Sequence, residues 1–217
     1  MGKADRRREE KARALAKVEE RKRVALRVLQ DCDEAGARAI AKLAVSGRGP
    51  SCVAGCTHCC RLEIPMSRAE GEVIVDWLSA NRSPEQVEAV RERLRAWLAW
   101  YRTELPRLVA SGVFRVDAFA RHSPACALLV DGQCSAYPVR PVTCRNHYVS
   151  SPPEVCDPAT STREPDSLLE IPRATQPYVV ELRRVVERQG GDYMASIHLI
   201  GEWLAHLLEV EREPWRG

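Results

Sequence analysis

The 217-residue sequence predicts a mainly α fold: a helical domain with a cysteine-rich, irregular loop region and at most short β segments. Three observations predict it. Apolar residues recur at helical spacing near both ends of the chain and through part of its middle. The stretch from Ser123 to about Thr175 holds eight of the fourteen prolines and sustains no apolar period. Eight of the nine cysteines fall in two groups, Cys52 to Cys60 and Cys126 to Cys156, leaving only Cys32 outside.

The first helix is expected from residue 3 to about 45, a run with no proline and one interior glycine, Gly36. Ten basic and five acidic residues crowd its first half, up to Arg23. Interleaved charge of both signs describes a solvated helix face, with a nucleic-acid or partner-binding arm as the alternative use of that surface. Leu26, Leu29, Cys32, Ile40 and Leu43 then mark an apolar face, on which Cys32 reads as a small buried hydrophobe. Ser46 to Pro50 ends the helix. Leu62 to Met66 alternates like a short edge strand. Ser67 and Glu70 form a capping box for a helix carrying Val73, Ile74, Trp77 and Leu78. Ser83, Pro84 and Gln86 start another, with Val87, Val90, Leu94, Trp97, Leu98 and Tyr101 as its core stripe. Helices resume near Pro177 and stop at Gly190-Gly191. Asp192 is expected to cap a last helix running from Met194 through Ile197 and Ile200 to Leu208, with His198 and His206 as structural or exposed residues.

Apolar content of 45% is enough for a real core, built mainly of Ala, Val and Leu because only two Phe and five Trp are present. The balance of 33 basic against 30 acidic residues gives a net charge of +3, which makes no electrostatic case for nucleic acid. Charged residues Lys3 to Glu10 lead into no apolar segment, and no run reaches membrane-spanning length, so a cytoplasmic protein is expected. Thiols stay reduced there. An odd number of cysteines in a chain too large to need staples therefore points to metal rather than to disulfides.

Cys52-x3-Cys56-x2-Cys59-Cys60 puts four thiols on one loop, with Gly55 for its sharp turn. Cys56 and Cys59 have the knuckle spacing that lets two sulfurs face one metal. Adjacent Cys59 and Cys60 are expected to point apart, toward two ions or a cluster of several metal atoms. Cys126-x7-Cys134-x9-Cys144-x11-Cys156 supplies four more thiolates on loops long enough to fold back. Eight sulfurs permit two four-cysteine zinc sites, one four-iron cluster with surplus thiols, or two clusters. Cys52-x3-Cys56-x2-Cys59 alone is also the spacing of radical S-adenosylmethionine enzymes. Those need a β/α barrel, and the repeated strand–helix alternation is missing here. The expected organisation is a charged, amphipathic N-terminal helix over 1–46 and a cysteine-cluster helical domain over 47–217, with metal loops at 50–66 and 123–160.

Cys52-x3-Cys56-x2-Cys59-Cys60, then Cys126 to Tyr137 around Asp131-Gly132, then Arg140-Pro141-Val142-Thr143-Cys144-Arg145, resembles the YkgJ-type CxxCxxCC family. The resemblance covers roughly residues 50 to 160 and implies a zinc- or iron-chelating domain, with Cys156 as a further ligand. Ala125 and Ala127 flank Cys126 where the family usually has a proline and a bulkier aromatic. The best-defined relatives resemble the flagellin lysine methylase FliB, which pairs a similar cysteine core with methyl transfer from S-adenosylmethionine; that activity and cofactor come here by analogy alone.

The metal candidates are thus Cys52, Cys56, Cys59, Cys60, Cys126, Cys134, Cys144 and Cys156, with an iron–sulfur cluster favoured over zinc. Arg140 and Arg145 would set permanent cations beside the thiolates, or grip a carboxylate or phosphate of a cofactor or substrate. Tyr137 would anchor the loop by its hydroxyl or act as an acid near the metal. His58 and His147 lie within three residues of a candidate ligand and are expected to support the site or face solvent.

Overall fold

A single uninterrupted helix, α1 (Lys3–Val45), opens the fold as expected from a run without proline. It is seen in a computed structural model that describes residues 2–53 and 55–210; Ala54 of the first cysteine loop and residues 211–217 lie outside the described residues. Positions 3–16 of α1 are exposed throughout. Packing begins further on, where Val28, Leu29 and Cys32 are almost fully buried. The mixed charges at the transition are not merely solvated. Lys17 donates to the Gln189 carbonyl at 3.3 Å, and Arg21 reaches Gln189 Oε1 at 3.0 Å and Glu72 at 3.2 Å. Lys22 pairs with Asp76 at 2.7 Å.

After α1 the chain makes a 3-10 turn (His58–Arg61), then strand β1 (Pro65–Ser67) and helix α2 (Arg68–Asn81). Helix α3 (Pro84–Ala110) and the short α4 (Arg115–His122) follow. Both expected capping boxes are present: the Glu70 amide donates to Ser67 Oγ, and the Gln86 amide to Ser83 Oγ. The proline-rich stretch folds as hairpin β2 (Leu129–Val130) and β3 (Gln133–Cys134), a 3-10 turn (Tyr137–Val139), the five-residue α5 (Val142–Asn146) and a 3-10 turn (Pro153–Cys156). Helix α6 (Glu170–Arg188), strand β4 (Ile197–Leu199) and helix α7 (Ile200–Leu207) complete the fold. The fold is therefore mainly α, with seven helices among the described residues and only short strands.

Two boundaries differ from the sequence reading. Helix α6 begins at Glu170, seven residues before Pro177, because Pro172 falls in the first turn, where its missing N–H is not needed. The expected last helix is interrupted. Asp192 caps only a turn, its carboxylate accepting from the amides of Met194 and Ala195, and the chain then extends as β4. β4 pairs antiparallel with β1, Met66 opposite His198. That pairing also moves the expected edge strand from 62–66 to Pro65–Ser67. Ile197, His198 and Leu199 cannot be told from a helical run by periodicity alone; a partner strand more than a hundred residues away decides them.

The main core joins α1, α2, α3, α6 and α7 around Leu29, Ile74, Leu94, Leu182 and Leu204. Cys126, Cys134 and Cys144 pack against its edge. A second cluster, Trp97, Trp100, Leu105 and Phe119, seats α4 on α3. A third, Leu43, Leu168 and Ile171, ties the end of α1 to the start of α6.

Candidate metal centre

Four connections bring the two cysteine groups together. Gly55, at φ +87°, takes the left-handed turn expected of it, which few side-chain-bearing residues tolerate. Next to Cys52, the Ser51 amide donates to the Val149 carbonyl at 2.9 Å, across almost a hundred residues. The 3-10 turn presents Cys59 and Cys60, and the Cys126 amide donates to the Cys60 carbonyl at 2.7 Å. Ser123 closes the same junction: its Oγ donates to the Arg61 carbonyl at 2.9 Å and its carbonyl accepts from the Arg61 guanidinium at 2.5 Å.

Cys126 and Cys134 are brought near each other by the hairpin. Asp131 and Gly132 both have positive φ, +50° and +75°, and so make a two-residue turn of the kind that matches the strand twist. Cys144 sits on α5, whose start is held by a residue far away in sequence. Glu70 is 4% exposed and accepts from the Ser67 amide and hydroxyl through one oxygen and from the Val142 amide, at 2.9 Å, through the other. One carboxylate thus caps α2 and aims α5. Cys156 ends the 3-10 turn Pro153–Cys156, which packs against the turn bearing Cys59.

The electrostatics divide the thiols into two nests that meet at Cys59. Burial raises the Cys144 thiol pKa well above its ordinary value, and Cys126, Cys59 and Cys134 push it further. Burial also pushes Cys126 up to about 12, with Cys134 and Cys59 adding to it. Cys134 is raised the same way, by burial and then Cys59. On the other side, burial followed by the charges of Cys56 and Cys59 raises Cys52. Cys156 is raised by burial and by Cys52, Cys56 and Cys59. Cys59 itself is raised first by a hydrogen bond with the Cys60 side chain and then by burial. The two adjacent side chains thus lie close enough to interact, on a 3-10 turn that does not alternate its side chains as an extended strand would.

All eight cysteines are half-buried and none is in a disulfide. No three His, Cys, Asp or Glu side chains among the described residues stand in a ready-made metal shell. The donor set nevertheless fits a metal chemically. Thiols crowded in a poorly solvated pocket resist ionisation, and a cation bound among them reverses that penalty.

Of the three other candidate residues, Arg140 lies beside the thiols, and its charge favours the ionised forms of Cys59, Cys134 and Cys144. Tyr137 is 56% exposed and lays its ring over Arg140, 4.0 Å from the guanidinium carbon. Arg145 is buried and its donors are used inside the fold: on the Arg140 carbonyl at 2.8 Å, on the Pro138 carbonyl at 2.6 Å, and on Asp33 of α1. Its charge bears on Cys32, whose thiol burial pushes up to about 12. His58 opens the 3-10 turn of Cys59, and His147 follows α5 with its pKa lowered by burial, which favours the uncharged ring.

Four residues near the centre carried no signal in the sequence of the part they play there. Arg82 favours the ionised Cys134 and Arg93 the ionised Cys126. Asp33 holds Arg145, and Glu70 aims α5. Each is more than thirty residues from the loop it serves, so no local spacing gives it away.

No curated protein and no solved structure matches the chain. One family model does match, over residues 51–164: CxxCxxCC, described as "Putative zinc- or iron-chelating domain". The match takes in both cysteine groups and the helices between them, just over half of the sequence. The chain belongs to the CxxCxxCC family.

Proposed function

We propose that the protein chelates metal through Cys52, Cys56, Cys59, Cys60, Cys126, Cys134, Cys144 and Cys156, as an iron–sulfur centre. The observation that carries this reading is the meeting of thiols from two distant groups around the Cys59–Cys60 pair, with the charge of Arg140 beside them. Eight thiols exceed one closed four-sulfur shell, which leaves sulfurs enough for a centre with several metal atoms. These thiols would hold the metal as thiolates, so binding would release their protons.

Anaerobic purification followed by metal and acid-labile sulfide analysis tests the proposal. Iron and sulfide in near-equal amounts, with visible absorption, are the expected result. Stoichiometric zinc in a colourless, sulfide-free protein would replace the cluster with zinc and leave chelation standing. Cys56→Ser and Cys144→Ser are each expected to lose at least half of the bound metal, whereas Cys32→Ser keeps all of it. Full metal retention in both ligand variants overturns the assignment of these thiols.

A further inference from the structure

Behind the hairpin wall of the thiol centre lies an open cleft of about 240 Å³, between the end of α2, the first turns of α3 and strands β2 and β3. Arg82, Gln86, Arg93, Gln133, Cys134 and Ser135 give it its polar lining, and Val90 and Val130 are among its apolar contacts. Two guanidinium groups are in that lining and no carboxylate is. Both arginines are held by backbone carbonyls. Arg82 donates to Ser135 O at 2.6 Å and Asn81 O at 2.9 Å, and Arg93 donates to Ala127 O at 2.8 Å. Carbonyl anchors fix a guanidinium in place without neutralising it.

One more observation points the same way. Arg93 Nη2 and Ser135 Oγ, both from residues of this lining, are buried without a hydrogen-bond partner. A buried donor left unpaired is costly, so such groups mark places where a water or a ligand completes the bonding. The cleft is thus cationic, solvent-open and fitted with forked donors. Its volume lies below the roughly 300 Å³ at which sites for drug-sized molecules begin.

We infer that this cleft binds a small oxyanion, a carboxylate or phosphate group, against the outer face of the hairpin that carries Cys134. Arg82 and Arg93 hold the anion, and Gln86 and Gln133 add neutral donors. Anion binding here stands on the cleft alone; a role for it in the chemistry of the centre rests on the metal-chelating reading, with Cys134 common to both sites.

The test titrates inorganic phosphate, and separately acetate, into metal-loaded and metal-stripped protein, with binding followed by calorimetry and by amide chemical shifts. Saturable phosphate binding is expected in both forms, with shifts in residues 82–93 and 130–135. Arg82→Gln and Arg93→Gln are each expected to weaken it at least tenfold, while Arg7→Gln, on the exposed part of α1, leaves it unchanged. Should Arg93→Gln fail to fold, Arg93→Lys keeps the charge, loses the fork and is expected to weaken binding several-fold. An absence of saturable binding, or equal weakening in Arg7→Gln, overturns the inference. So does binding that requires metal and ignores Arg82 and Arg93, which would place the anion on the metal itself. Binding that persists in a chain found to take up no metal would sink the chelation reading and leave this site intact.

Discussion

Cys32 shows how one thiol differs from eight. It is 1% exposed on the apolar face of α1, and burial lifts its pKa from an ordinary 9.0 to about 12. For an acid raised in this way the folded state keeps the proton that the unfolded state gives up. The stabilisation is therefore complete below about pH 9 and is lost as pH rises toward about 12. In urea unfolding followed at pH 8 to 11.5, wild type is expected to lose stability more steeply than Cys32→Ala, and parallel curves would show that this thiol does not titrate with unfolding. The same kind of residue serves opposite ends in the two settings. A lone thiol among apolar neighbours contributes by staying protonated, whereas the clustered thiols of the proposed centre would ionise around a cation. Spacing in the sequence already separated Cys32 from the others. Which of the eight stands beside which was not legible, because Cys156 reaches Cys52 and Cys56 only through the 3-10 turns, and Cys126 reaches Cys59 only through the bond to Cys60.

The helices that carry their own boundary signals were the legible elements. α2 and α3 start at capping boxes written in four consecutive residues, and the structure keeps both. β4 and the start of α6 were not legible, since the first depends on β1 and the second on a proline tolerated in the opening turn. The seating of α7 on α3 offers a sharp test of element packing. A Cβ added at Gly201 would stand 2.5 Å from the Trp97 ring, whereas one at Gly71 would meet the flexible tips of Leu207 and Met66 at 2.9 and 3.1 Å. Trp97 is 6% exposed and stacks on Tyr101 at 4.7 Å, so it has little room to give way. Gly201→Ala is expected to cost about 1–3 kcal/mol, which for a chain of this size lowers Tm by roughly 2–10 °C. Gly71→Ala, which gains helix propensity in return, is expected to change Tm by less than half as much. Equal thermal shifts in the two variants would refute this account of the α3–α7 contact.

At the scale of the whole molecule, the helices share apolar cores while the stretch from Tyr148 to Leu168 depends on a thin set of backbone bonds. Leu168 N donates to Tyr148 O at 2.9 Å, Ser150 N donates to Asp166 O at 2.9 Å, and the turn bearing Cys156 packs on that of Cys59. Metal would tie this stretch down through Cys156. Stripping it with a chelator is expected to leave most of the far-UV helical signal and to speed tryptic cleavage after Arg163, whose side chain is largely exposed. Wholesale loss of helicity would mean instead that the centre holds up the entire fold. Helix α1 adds a different property. Its 43 residues span about 65 Å, and the exposed positions 3–16 carry roughly 20 Å of that length beyond the packed helices. A body with such a projecting rod does not reorient equally about all axes. It turns end over end more slowly than it spins about the rod, so amide relaxation in those first turns follows the slow axis of tumbling.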